Sequence, residues 1–160
     1  MNRALLAIAL LFSGLLAGEN VDRAIMAMPA WRSVGAAGWA DFSRHADLGP
    51  GLFLYPVEAF GAALFALAAA IGFHREEYAP ASVKALLAAS VALAAVGLLL
   101  TIEAAPIMLG IRDVTDPAAL ARAFEGFWFW GNLRAICQVL AFIAQIAALA
   151  IWLRREPDWE

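Results

Sequence analysis

Glu19, Asp22, Glu58, Glu103 and Arg134 lie inside stretches that are otherwise apolar and long enough to cross a bilayer. An ionisable side chain at the centre of a spanning helix costs roughly 2.5–3.5 kcal/mol on insertion scales, so it is rare unless it meets a partner or a cavity. Every apolar segment of this chain carries one. A desolvated carboxyl group can take a proton from a lipophilic acid. An arginine fork can clamp a carboxylate, or stabilise a phenolate or enolate. The spacing therefore points to a polar site enclosed by a helix bundle.

Three chemistries compete for this set. One is acid/base work in an organic-substrate pocket. In it Glu19, Glu58 and Glu103 serve as acid or base, Arg134 and Asn132 hold the developing anion, and His45 assists from the mouth. The second is an ion-pair network that only glues the helices together, as in a non-catalytic subunit or a small-molecule-binding protein. The third is a metal held by Glu19, His45, Glu58 and Glu103, as in carboxylate-rich bundles. Those bundles use Glu-x-x-His on a helix, and no such motif occurs here. The residues imply no other cofactor.

The elements that must position these groups follow from composition and pattern. The chain has 160 residues, 64% hydrophobic and 16% charged, with a mean hydropathy of +0.76. A soluble domain carries about 25% charged residues, so one polytopic membrane domain spanning 1–160 is expected. The net charge of −3 leaves no nucleic-acid footprint. Cys137 is the only cysteine, which excludes an intrachain disulfide and a thiol relay.

Spanning helices, each needing about 20 apolar residues, are expected at 3–28, 51–73, 82–109 and 117–153. The fold class is thus all-α, an integral membrane four-helix bundle. Pro29 should end the first helix. Asp116 should cap the fourth, with Pro117 in its first turn. Residues 31–50 mix Trp31, Trp39 and Phe42 with charges, which predicts a short interfacial helix over the bundle mouth. Met1-Asn2-Arg3 followed by Ala4–Gly18 imitates a signal peptide, but Leu16-Ala17-Gly18-Glu19 is a poor cleavage site, so a spanning helix is expected. Arg3, Arg75, Lys84, Arg154 and Arg155 on one side, against Arg32, Arg44, Arg112 and Arg122 on the other, place both termini in the cytoplasm. The expected location is a bacterial inner membrane. The partners implied are the lipid bilayer and a lipophilic small molecule, with a homo-oligomer left open.

Depth brings the charges together. Counted at about 1.5 Å per residue from the cytoplasmic ends, Glu19 and Glu58 lie ~22 Å up, Arg134 ~28 Å and Glu103 ~30 Å. All fall in one outer layer. Arg134 and Gln138 share a helical face, and Arg134 is expected to pair with Glu58 or Glu103. Two arginines, Arg23 and Arg134, face four carboxylates. Trp128, Trp130, Trp39 and Gln138 are the expected substrate-binding residues, the tryptophans forming a stacking wall for an aromatic ligand.

Several segments carry a family resemblance. Gly14–Gly18 and Met28-Pro29-Ala30 are one part. Ala105-Pro106-Ile107 before a short polar loop is another. Trp128 or Trp130 with Asn132 and Arg134 opens the last helix. Together they resemble the DUF1772 (anthrone oxygenase-like) membrane family, although the spacing within the last group departs from that family's pattern. The resemblance implies an oxidoreductase of the oxygenase type that needs no cofactor and acts on a lipophilic, aromatic substrate. The charge-rich stretches Gly18–Arg23 and Ser43–Gly49 imply a subgroup with a different substrate.

Overall fold

A computed structural model of the chain describes residues 2–154. Met1 and Arg155, used above for the leader-like start and the charge count, lie outside the described residues. The helices are α1 (Asn2–Asp22), α2 (Met28–Val34), α3 (Ala36–His45), α4 (Gly51–Arg75), α5 (Ala81–Gly110) and α6 (Pro117–Leu153). No strand occurs among the described residues. Four spans are long and apolar enough to cross a membrane: Asn2–Val34, Gly51–Arg75, Ala81–Gly110 and Pro117–Leu153. The chain is an all-helical bundle of integral membrane type.

The first span corrects the expectation at Pro29. It does not stop there but continues to Val34. A proline lacks the N–H for the ladder, and its ring crowds the carbonyl one turn back. The chain absorbs this with a π-helical turn at Arg23–Ala27, closed by Met28 N donating to Arg23 O. The wider turn leaves Pro29 in the first turn of α2, where its missing N–H costs nothing. The break comes six residues later at Gly35, whose φ of 86° suits glycine and few other residues.

The expected interfacial helix is thus two pieces: the end of α2, then α3. Together they form a strap across one end of the bundle. Arg44 of α3 donates from Nε to Arg112 O (2.9 Å) and from Nη2 to Ile111 O (3.2 Å) and Val114 O. These carbonyls belong to the turn that follows α5, so Arg44 ties the strap to it. Arg32 grips Glu125 with three bonds, 2.8 and 3.0 Å from Nη2 and 3.3 Å from Nε, but both side chains are about half exposed and the pair adds little stability. The expected cap of α6 is present: Asp116 accepts from Ala119 N at 2.9 Å and Ala118 N at 3.4 Å.

The long helices pack in a ring, α1 on α4, α4 on α5, α5 on α6 and α6 on α1, so α1 and α5 are diagonal. Pro56 and Pro106 lie inside α4 and α5 without interrupting them. The Phe12 ring of α1 packs onto Gly61 of α4, where a Cβ would lie 2.5 Å from it. Away from the strap the core is dense and apolar, built on Leu6, Phe73, Val83, Leu87 and Ala148. Under the strap a second core joins Met28, Trp39, Met108, Phe124 and Phe127. Of the long-helix neighbours, α4 and α5 are the most loosely packed, and the cavity lies where they part.

Candidate functional site

A cleft of about 540 Å³ opens between α4 and α5 below the strap. Its walls are apolar: Leu52, Pro56 and Phe60 from α4, Leu98, Ile102 and Met108 from α5. Its inner end is polar. Glu19, Asn20 and Arg23 come from α1 and the turn that follows, Asp47 from the strap, Tyr55 from α4, and Arg134 and Gln138 from α6. Beneath lies a void of about 10 Å³ beside Ser13 and Gln138, room for one water. Deeper still, Gln145 Nε2 donates to Ser13 Oγ at 3.0 Å.

The two arginines differ in kind. Arg23 is paired through both Nη groups, Nη2 at 2.8 Å from Asp47 Oδ1 and Nη1 at 3.7 Å from Glu19, while its buried Nε has no hydrogen-bond partner. Its guanidinium sits 5.0 Å from the Tyr55 ring centre and 5.4 Å from that of Phe127. Tyr55 OH also donates to Asp47 Oδ1 at 3.0 Å. Pairing, hydrogen bonding and ring contact are what a partly buried guanidinium needs. Arg134 instead donates only from Nε, to Asn20 Oδ1 at 3.2 Å. Asn20 is held by its own Nδ2 donating to Leu16 O at 2.7 Å, which aims its oxygen at Arg134. Among the described residues, neither Nη of Arg134 has a hydrogen bond or an ion pair.

The structure brings together Glu19, Arg134 and Gln138 of the expected site, with Glu58 directly behind. The Glu19 and Glu58 carboxyls are near neighbours, and Glu58 Oε2 is buried with no hydrogen-bond partner. Arg134 pairs with neither Glu58 nor Glu103, contrary to expectation. An amide on the adjacent helix occupies its Nε instead.

Other expected site residues lie elsewhere. Glu103 is exposed on the outside of α5, one residue round from Ile102, which faces the cleft. His45 is 80% exposed, with Nδ1 at 2.8 Å from Asp41 O at the end of α3. Asn132 is half-buried and does not line the cleft. Trp39 is in the core under the strap. Trp128 donates from Nε1 to Ala24 O at 3.0 Å, beside the π-helical turn whose carbonyls it helps satisfy. Trp130 packs edge-on against Phe129 at 5.2 Å. The tryptophan wall is therefore not part of the cleft; Tyr55, Phe60 and Phe127 are its aromatic residues. The metal set is not assembled either. Glu103 and His45 are apart from Glu19 and Glu58, and among the described residues no three His, Cys, Asp or Glu side chains cluster to hold an ion.

Sequence reasoning missed Asp47, Tyr55 and Asn20 as members of the site. Asp47 read as one more loop charge. The usable signal was its place before Leu48-Gly49-Pro50, a turn that folds it back over the start of α4. With Asp22 and Glu103 on the outer surface, the polar layer holds three carboxyls (Glu19, Asp47, Glu58) and two guanidiniums (Arg23, Arg134).

Comparison with family models, curated proteins and solved structures gives no match to this chain.

Proposed function

We propose that this protein is a membrane oxidoreductase that takes a lipophilic substrate sideways from the bilayer into the α4–α5 cleft and removes a proton from it with the Glu19–Glu58 pair. The observation that carries this reading is the cleft itself, an apolar space with ionisable groups at one end. Its volume suits one small ligand, the range being roughly 300–1,000 Å³. A bundle held together by ion pairs alone would have no need of the space or of a partly unpaired arginine.

The chemistry balances with dioxygen as co-reactant, which the family resemblance supplies. The C–H bond of an activated methylene breaks, its proton goes to Glu19, and its electron pair passes to oxygen. Loss of water then leaves a carbonyl. Arg134 would place a positive charge beside the developing enolate, and preorganised charge is commonly the largest electrostatic help a site gives. Termini in the cytoplasm and a bacterial inner membrane belong to the same proposal, supported by the basic flanks Arg3, Arg75, Lys84 and Arg154.

The test is oxygen uptake by the purified protein in lipid nanodiscs with an anthrone as probe. Wild type is expected to consume oxygen. Glu19→Gln and Glu58→Gln should lose roughly 10²–10⁴-fold in rate, the usual worth of a positioned base. Full turnover by folded Glu19→Gln protein overturns the assignment of the base, and an inert wild type overturns the oxygenase reading.

A further inference from the structure

The two arginines at the end of the cleft set a constraint on what enters it. Arg23 has its countercharge in Asp47 at 2.8 Å. Arg134 has only an amide oxygen on Nε, and both of its Nη groups are without a partner among the described residues while the side chain lines the cleft. A guanidinium bound through Nε presents its two Nη atoms as a parallel pair of donors. That pair matches two oxygens on one atom, a carboxylate above all.

We propose that the ligand of the cleft is a lipophilic carboxylic acid, held by its carboxylate on the Nη pair of Arg134, with its tail along the α4–α5 walls. This rests on the cleft being the substrate site and names the class of molecule it takes.

Charge requires a second event. The titratable and charged groups facing Arg134 are Glu19 of α1, Arg23 of the π-helical turn, Asp47 of the strap, and Glu58 and Tyr55 of α4; α5 contributes Thr101, which does not titrate. With Arg134 they make three carboxyls and two guanidiniums, so adding a bare anion would deepen a negative charge in the membrane. The acid therefore enters neutral. Its O–H bond breaks, the proton goes to a carboxylate oxygen of Glu58, the anion stays on Arg134, and Glu19 is left to act as the base. No net charge crosses the lipid, which would be costly. Measured from water, where the acid is ionised, binding takes up one proton.

The experiment is equilibrium binding to the full chain in nanodiscs of zwitterionic lipid. The probes are a fluorescent long-chain carboxylic acid and its methyl ester. Wild type should prefer the acid by roughly 10–100-fold, the value of a charge-assisted two-bond contact. Arg134→Gln should lose that preference while still binding the ester, and the ester reports that the cleft is intact. Arg134→Lys keeps the charge without the fork and should fall between them. Calorimetry in two buffers of different ionisation enthalpy should show about one proton taken up per acid. Equal binding of acid and ester by wild type, or a preference surviving in Arg134→Gln, overturns the proposal. So does displacement of the probe by phosphatidylglycerol but not by unlabelled acid, which would make the ligand a lipid phosphate. Failure of catalysis reads differently: the acid would still bind selectively, but no oxygen would be consumed.

Discussion

The two ends of the bundle are made of the same kinds of helix and packed in opposite ways. Away from the strap, Phe73 is fully buried against Trp152 in an edge-on contact of 5.1 Å, with Leu6, Val83 and Leu87 around it. Below the strap α4 and α5 part, and Phe60 lines the resulting space while more than half exposed. In lipid, association depends on close packing, since the tails are as apolar as leucine. The dense end therefore holds the bundle together, and the open end is free to be a site. Besides the apolar core under the strap, charged side chains fasten the open end: Asp47 on Arg23, and Arg44 on the carbonyls that follow α5.

This contrast can be broken in three ways. The largest effect is expected from Arg23→Met, which leaves buried Asp47 without its partner. Stability should fall by about 3–5 kcal/mol, and the double variant Arg23→Met/Asp47→Leu should regain most of it. Denaturation in mild detergent reads both, and a double variant as weak as the single one would mean that the ion pair does not fasten the strap. Next is Phe73→Ala, with a cost of about 3 kcal/mol or more for a cavity in a dense core. Phe60→Ala, on the cleft wall, should change stability by less than about 0.5 kcal/mol while weakening probe binding. Equal costs at positions 60 and 73 would erase the difference between the two ends.

Much of this architecture was legible in the sequence, for identifiable reasons. The spans follow from long apolar runs, and those at 51–73, 82–109 and 117–153 match α4, α5 and α6 to within two residues at each end. Depth counting placed Glu19, Glu58 and Arg134 in one layer because a helix rises by a constant amount per residue. Azimuth is harder to read. Glu103 and Ile102 differ by one position and so by about 100°, and nothing local says which of them faces inward. Asn20 lies about 100° round from Glu19, and that offset turns it towards α6 and Arg134. Asp47 could not be placed at all, because its position depends on a turn in the strap. The tryptophans misled because an aromatic run near a helix end serves anchoring and hydrogen bonding as readily as ligand contact; Trp128 spends its N–H on Ala24 O.

The π-helical turn at Arg23–Ala27 carries a consequence for chain length. Such a turn holds one more residue than the α-helical turn it replaces. Deleting any single residue of Ala24–Ala27 would let the segment run on as regular α-helix, with its apolar character unchanged. The faces beyond would stay nearly in place, but Pro29 would then stand inside a regular α-helix, its ring crowding the carbonyl one turn back. Substitutions there should be tolerated far better than a one-residue deletion, so this stretch acts as a spacer whose length matters more than its letters.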